Sequence, residues 1–332
     1  MRGGEDVALL LAVPPLIVST LAQVVFEFSG FDLLRLGEAV AARVDMAGSL
    51  SLPVELAESE TRILWGLAVL LNLLTAIALT AIAVVILRRS ISVRGLRLFV
   101  PTGLILIVAG VGSFAYAAEA RTPISGLFFF TFGSLQAVGL FTSGFLTTVQ
   151  ALVTLLNVLS IVAPVTALMA ACSTLAPPRD GGPGSVAFLG SQVRSLKALT
   201  VIGSAYMVAG VLHLGVWVSW PATFVPDPDL AKEIESYARA MSIYWGGSFT
   251  VLIAAFYVPA LVVLRERAEA VIERAPGSTG GLTAEKLLED HGLSLSLGRQ
   301  LPQIAAVLAP LFAGPIGSAV ADISKVTAFG GG

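Results

Sequence analysis

Long stretches without a charged side chain are the sequence feature that most limits how this chain can fold. No Asp, Glu, Lys or Arg occurs between Arg121 and Arg179. Several other apolar runs exceed the roughly 18 residues that mark a candidate membrane span. Charged residues make up 13% of the 332-residue chain, against about 25% in a typical soluble domain. The sequence therefore predicts an all-α fold, a polytopic transmembrane helical bundle.

The composition also excludes several kinds of chemistry. The chain has one cysteine, Cys172, and two histidines, His213 and His291, so no disulfide forms within it and a structural zinc site lacks ligands. A net charge of −2 gives no argument for nucleic-acid binding. No phosphate loop, dinucleotide fingerprint, HExxH or EF-hand sequence is present. We therefore predict no metal, no cofactor, no nucleic-acid partner and no catalytic residues.

Hydropathy and loop charge predict a transmembrane domain over residues 1–264 and a cytoplasmic tail over residues 265–332. The predicted spans are residues 7–30, 62–87, 98–118, 148–173, 198–220 and 241–264. The first span is expected to kink at Pro14-Pro15. Residues 33–44 have the apolar spacing of a helix that lies along the surface. The helix of the last span is expected to continue towards the Gly-rich stretch that begins near residue 275.

The uncharged stretch 122–178 could cross the membrane once or twice. A single crossing places the majority of loop Lys and Arg residues on one side, which the positive-inside rule assigns to the cytoplasm. Residues 124–147 then form an outer re-entrant or interfacial helix, and a further full span is the alternative. With six spans, both termini are cytoplasmic in the inner or plasma membrane. The four tryptophans, Trp65, Trp217, Trp220 and Trp245, all fall at predicted outer ends, where indole rings are favoured.

Residues 301–321 are uncharged but contain three prolines, Pro302, Pro310 and Pro315. Because proline interrupts the helical hydrogen bonds, we predict two short helices joined near Pro315. They are expected on the inner membrane face or against the cytoplasmic loops. The alternative is a seventh, kinked span that acts as a gate.

Polar side chains at similar predicted depth indicate a candidate site within the membrane. His213 shares one face of the fifth span with Tyr206 and Trp217. Together with Gly210, these residues follow one another at spacings of four, three and four residues. Side chains of three other spans are predicted at a comparable depth below the outer interface. These groups could line an outward-open cavity, or they could only hydrogen-bond between helices. The candidate intramembrane polar or ligand site is His213, Asn72, Tyr206, Trp217, Gln23 and Asn157.

These features favour a non-enzymatic membrane component, a small-solute or ion permease or channel. The alternative is a structural or regulatory subunit of a larger envelope complex, because the uncharged stretch and the apolar tail offer apolar surface that other subunits could bury. The lipid bilayer is the expected partner, and the alternatives add other membrane subunits or a second copy of the chain.

A remote alternative is an intramembrane serine protease. In a chain of six spans, Ser143-Gly144 and His213-Leu214-Gly215 resemble motifs of rhomboid proteases. The resemblance covers only these five residues. The Gly-x-Ser-Gly turn of that family is absent, since residues 141–144 read Phe-Thr-Ser-Gly, which puts a nucleophilic role of Ser143 in doubt.

The predicted topology can be tested with single cysteines. Cysteines at Ser92 and Ser185 are expected to be protected from a membrane-impermeant thiol reagent in intact cells, because both loops are predicted to be cytoplasmic. Cysteines at Ser59 and Ala231 are expected to react. Labelling at Ser185 together with protection at Ala231 would show that residues 122–178 cross twice.

Overall fold

The computed structural model describes residues 4–29, 33–44, 52–178, 185–274, 283–293 and 297–329. Within these ranges the chain is helical and contains no strand. Two 3₁₀ turns, Leu10–Ala12 and Trp220–Phe224, accompany the α-helices. The α-helices are α1 (Gly4–Leu9), α2 (Val13–Phe28), α3 (Leu33–Ala41), α4 (Leu52–Ser90), α5 (Val93–Glu119), α6 (Pro123–Val138), α7 (Ser143–Ser173), α8 (Val186–Ser219), α9 (Pro228–Arg274), α10 (Ala284–Asp290) and α11 (Leu297–Phe329).

Six helical segments of the described ranges are long and apolar enough to cross a membrane. They are Val7–Phe28, Leu52–Ser90, Gly95–Glu119, Ser143–Ser173, Val186–Phe224 and Pro228–Arg274. Each overlaps one of the six predicted spans, so the predicted helical bundle and its six spans are confirmed. The protein is a multi-pass membrane protein.

Three helices extend well beyond the predicted spans. Helix α4 begins at Leu52 instead of residue 62, α8 begins at Val186, and α9 covers Pro228–Arg274. The added turns of α4 and α9 carry Glu, Ala, Lys and Arg residues of high helix propensity, so these helices continue past the apolar region. The predicted end of the first span at Gly30, the loop at 179–184 and the Gly-rich stretch 275–282 lie outside the described residues.

A 3₁₀ turn precedes the two prolines at which the first span is predicted to kink, and the kink itself stays a prediction. Helix α1 passes into the 3₁₀ turn Leu10–Ala12, and α2 then starts with Pro14 and Pro15 in its first turn. Proline is tolerated there because the first backbone N–H groups of a helix have no partner within the helix.

Helix α6 is the short, non-spanning helix expected in the uncharged stretch, although it ends sooner than residue 147. Its 16 residues stop at Gly139, whose φ of 69° is a left-handed conformation that suits glycine. Thr142 then caps α7 by accepting a hydrogen bond from the Phe145 N–H. Most of α6 is buried, and α3 packs against it so closely that a Cβ atom on Gly37 would lie 2.9 Å from the Phe130 Cα atom.

The bundle has two hydrophobic cores with different composition. The aromatic end contains Phe26, Trp65, Phe130, Trp217, Trp220 and Phe224. The aliphatic core contains Ala8, Leu79, Ile86, Leu196 and Leu264. Trp245 also packs against Phe26, with ring centroids 5.5 Å apart. All four tryptophans therefore lie towards one end of the bundle, as their predicted positions required.

Helix α11 differs from the prediction. It is one continuous helix, not two short helices joined near Pro315, and it packs along α8 and α9 rather than against loops. The Tyr257 hydroxyl donates a hydrogen bond to the Gln300 Oε1 atom at 2.9 Å, and further along α11 the backbone of Pro310 contacts Gly246. Gly314 then lies against Ser242. Residues 300–314 thus run antiparallel to the sixth span, within the bundle.

Helix α11 runs from the aliphatic core towards the aromatic end of the bundle. Ala8 of α1 belongs to the aliphatic core, whereas Gly314 reaches the part of α9 that borders the aromatic end. The prediction of both termini on one membrane side assumed that α11 stays at the inner face. The membrane side of each terminus stays a prediction, and so does the alternative of a seventh, kinked span.

The contact between α9 and α11 can be tested with two neighbouring glycines. A Cβ atom on Gly246 would overlap the Pro310 carbonyl oxygen, whereas one on Gly247 would meet only the Leu311 Cδ1 atom at 3.8 Å. We expect Gly246→Ala to destabilise the protein by about 1–3 kcal/mol, a typical cost of overpacking. Gly247→Ala should leave the apparent Tm in detergent nearly unchanged. Equal Tm values for the two variants would contradict the described position of α11.

Candidate functional site

The predicted site residues on α4 and α8 meet because these helices pair antiparallel in a constant register. The Trp65 and Trp217 ring centroids are 5.9 Å apart. Asn72 comes seven residues after Trp65 on α4, and Gly210 comes seven residues before Trp217 on α8. These two residues also lie opposite each other. At the other end of the contact, the Ser90 hydroxyl donates to the Gln192 Oε1 atom at 3.2 Å. The two helices therefore stay in contact from the aromatic end to the far end of the aliphatic core.

His213 lies in this contact between two tryptophans. Its ring centroid is 6.2 Å from that of Trp65 and 6.4 Å from that of Trp217. The His213 Nδ1 atom is buried and makes no hydrogen bond to a described residue. Aromatic packing therefore holds the His213 ring, and its Nδ1 atom is available to bind another group.

Asn72 lies one turn deeper in the same contact. The residue is 6% exposed, and its Nδ2 atom is 3.8 Å from the position a Cβ atom would take on Gly210. The Asn72 Oδ1 atom also makes no hydrogen bond within the described part of the chain. The glycine leaves room beside the amide, which a larger side chain at position 210 would fill.

Trp217 anchors the short helix α6. Its indole N–H donates to the Leu127 carbonyl oxygen at 3.1 Å, and its own carbonyl oxygen accepts from the Thr131 hydroxyl at 2.7 Å. At the start of α6, the Glu27 carboxylate accepts a hydrogen bond from the Ile124 N–H, where a negative charge also complements the helix dipole. Trp217 is thus a structural link between α8 and α6 as well as a neighbour of His213.

The other three predicted residues are not part of this group. Tyr206 is buried in the aliphatic core, and Gln23 is exposed on α2. Asn157 is half-buried on α7, and none of the described hydrogen bonds joins its side chain to Asn72 or His213. The structure therefore brings together His213, Asn72 and Trp217, and the common cavity of six residues stays a prediction.

A pocket of about 450 Å³ lies elsewhere, between α4, α8, α9 and α11 near the aromatic end. Its polar lining includes Glu60, Thr61, Ser219, Thr223, Glu235 and Arg239. Glu60 and Arg239 are exposed, so the pocket meets the surroundings there. On the side of α11 the wall is formed by small residues, Ala313 and Gly314, with Gly215 and Ser242 nearby. None of the six predicted site residues lines this pocket.

Sequence reasoning missed the pocket because its polar residues lie outside or at the end of the predicted spans. Glu60 and Thr61 precede residue 62, and Glu235 and Arg239 precede residue 241. The predicted spans leave these residues out, whereas the residues belong to helices that continue past the apolar region. The signal in the sequence is the helical spacing of Ala57, Thr61 and Leu64, which places them on one face of α4.

The residues that resemble motifs of a rhomboid protease are not joined by a hydrogen bond in the described part of the chain. Ser143 is the first residue of α7 and is exposed. His213 is enclosed by Trp65 and Trp217. A serine nucleophile needs its base at hydrogen-bond distance, and no described hydrogen bond joins these two side chains. Within the described ranges, no group of three or more His, Cys, Asp and Glu residues could hold a metal ion.

Comparison with known proteins gives no relative of this chain. No family model, no curated protein and no solved structure matches it. Its function has to be argued from the pocket and from the contact between α4 and α8.

Proposed function

We propose that the protein is a non-enzymatic permease or channel that takes a small solute into the pocket at the aromatic end. The pocket between α4, α8, α9 and α11 carries this proposal. Its volume of about 450 Å³ lies within the range of roughly 300–1,000 Å³ that is typical of small-molecule sites. Its lining also has the usual composition, mainly apolar side chains with a few polar groups.

The distribution of polar groups favours a solute with a polar part and an apolar part. Glu60, Glu235 and Arg239 border the pocket where it is exposed, and Val211, Leu212 and Ala313 line it elsewhere. The polar part of a solute would bind at the charged side chains, and its apolar part would be buried against α8 and α11. Charged side chains near the membrane surface remain solvated at little cost, unlike charges at its centre.

Helix α11 is the element that would have to move for the solute to pass. It contributes Ala313 and Gly314 to the pocket, and its contacts with α9 involve small residues, Gly246 and Ser242. Such contacts bring backbones close without interlocking long side chains. Pro302 and Pro310 interrupt the hydrogen bonds of α11, which allows it to bend at these positions.

We further propose that the protein lies in the inner or plasma membrane with its N-terminus in the cytoplasm. The basic residues Arg88, Arg89, Arg194 and Arg265 lie on the helices of the aliphatic core, away from the aromatic end, which supports that side as cytoplasmic. The pocket then opens on the outer side. The passage of α11 through the bundle supports an outer C-terminus.

The proposal can be tested by uptake into liposomes that contain the purified protein. Ala57 lines the pocket on α4, and Ala57→Phe should fill part of it, whereas Ile63 is 70% exposed and Ile63→Phe is a matched control. The liposomes are incubated with a small-molecule extract of the producing cells, and their contents are analysed by mass spectrometry. At least one compound should enter with the unmodified protein and with Ile63→Phe, and its uptake should be lost with Ala57→Phe.

Identical contents in all three preparations and in protein-free liposomes would contradict a permease. The alternative, a structural or regulatory subunit of a larger complex, would then be favoured if other membrane proteins co-purify in mild detergent. Both aromatic variants must elute as the unmodified protein does in size-exclusion chromatography, so that misfolding does not explain a loss.

A further inference from the structure

Three polar residues lie on one face of α4, each seven residues from the next. They are Glu58, Trp65 and Asn72, and all three are buried, with 7%, 4% and 6% exposure. A spacing of seven residues is two helical turns, so the three side chains form a line along the helix. This line faces the 3₁₀ turn that contains Trp220 and the part of α8 that contains His213. We call these five residues the polar seam.

Each residue of the polar seam has a buried polar atom without a hydrogen bond to a described residue. These atoms are Glu58 Oε1, Trp65 Nε1, Asn72 Oδ1, His213 Nδ1 and Trp220 Nε1. Such atoms need a partner, since a buried polar group without one is costly, most of all in a membrane. Trp217 shows the usual solution, because its indole N–H binds the Leu127 carbonyl oxygen. Among the described residues, no carbonyl oxygen accepts a hydrogen bond from the indole N–H groups of the seam.

We propose that the polar seam is a water-filled half-channel that enters at Glu58 and ends at Asn72. Water suits these five atoms because it both donates and accepts, so one chain of molecules can bind the indole N–H groups, the imidazole and the carbonyl and carboxylate oxygens. Gly210 opposite Asn72 leaves space for a water molecule at the deep end.

The two ends of the half-channel follow from the residues on either side. At the entrance, the Glu58 Oε2 atom is 3.5 Å from a guanidinium nitrogen of Arg62, whose side chain is 44% exposed. Beyond Asn72, the buried residues of α4 are Ala76, Leu79, Ala83 and Ile86 up to Ser90. The side chains of Ala76, Leu79, Ala83 and Ile86 offer no hydrogen bond, so water has no partner on this face of α4 between Asn72 and Ser90. The seam therefore opens towards the aromatic end.

The polar seam is separate from the pocket, since none of its five residues lines the pocket. The seam lies on the face of α8 that contains His213, whereas the pocket is lined by Val211, Gly215 and Ser219 of the same helix. A water-filled seam would let water reach His213, which lies deep in a span, from one side of the membrane. Intramembrane ionisable side chains with such access are typical of solute and proton pathways.

Cysteine reactivity measures the position of the water directly. Val69 and Ala76 are buried on α4, seven residues apart, one within the seam and one beyond it, and neither carries a polar side chain. Each is replaced by Cys in a chain in which Cys172 is replaced by Ala, and the thiols are exposed to Ag⁺ in detergent. Val69→Cys should react at least about tenfold faster than Ala76→Cys, because a thiolate forms only where water reaches it. Unreacted thiol is counted by mass spectrometry after denaturation and maleimide labelling.

The entrance is tested in the Val69→Cys chain. Glu58→Leu removes the carboxylate at the entrance and should slow the reaction towards that of Ala76→Cys, whereas Glu55→Leu changes an exposed residue of the same helix and should not. The pair Asn72→Cys and Leu79→Cys repeats the comparison if Val69→Cys does not elute as a folded protein. Equal rates at positions 69 and 76, whether slow or fast, would overturn the half-channel. An unchanged rate with Glu58→Leu would overturn its entrance.

Discussion

The antiparallel contact between α4 and α8 is the interaction on which the other helices depend. In lipid, helices gain little from burying apolar surface, so they associate through close packing and a few polar contacts. The register from Trp65–Trp217 to Ser90–Gln192 provides both over the full length of the pair. Helix α7 packs on α4, while α9 and α11 pack on α8. A shift of one residue in this pair would disrupt the Asn72–Gly210 fit and the Ser90–Gln192 hydrogen bond together.

The parts of the fold that depend on local sequence could be predicted. Span positions follow from hydropathy along about 20 residues, and the six long helices agree with it. The start of α10 is also a local feature, since Thr283 precedes it and accepts a hydrogen bond from the Lys286 N–H as a cap does. The short helix α6 could be predicted from the distribution of Lys and Arg residues among the loops. A second crossing of the membrane by residues 122–178 would have moved every later Lys and Arg residue to the opposite side.

Helix α11 could not be predicted, because its stability depends on neighbours distant in sequence. Proline inside an isolated helix costs roughly 3 kcal/mol or more, which favoured a break near Pro315. In a bundle, adjacent helices can compensate for the lost hydrogen bonds. Here the backbone of α11 fits against Gly246 and Ser242 of α9. The candidate site was predicted in part for a related reason: depth can be counted along a span, but the direction in which Gln23 or Asn157 faces is set by tertiary packing.

Helix α9 is much longer than a membrane is thick. Its 47 residues correspond to about 70 Å at 1.5 Å per residue. One end carries the pocket residues Glu235 and Arg239, and near the other the Arg267 guanidinium donates to the Leu175 carbonyl oxygen at 2.6 Å. If such a long helix stays straight, a tilt of α9 by a few degrees at the Arg267 end displaces the pocket wall at the other end by several ångströms. Pro259, which lacks the N–H for a helical hydrogen bond, is the point between the two ends at which the rod can bend instead.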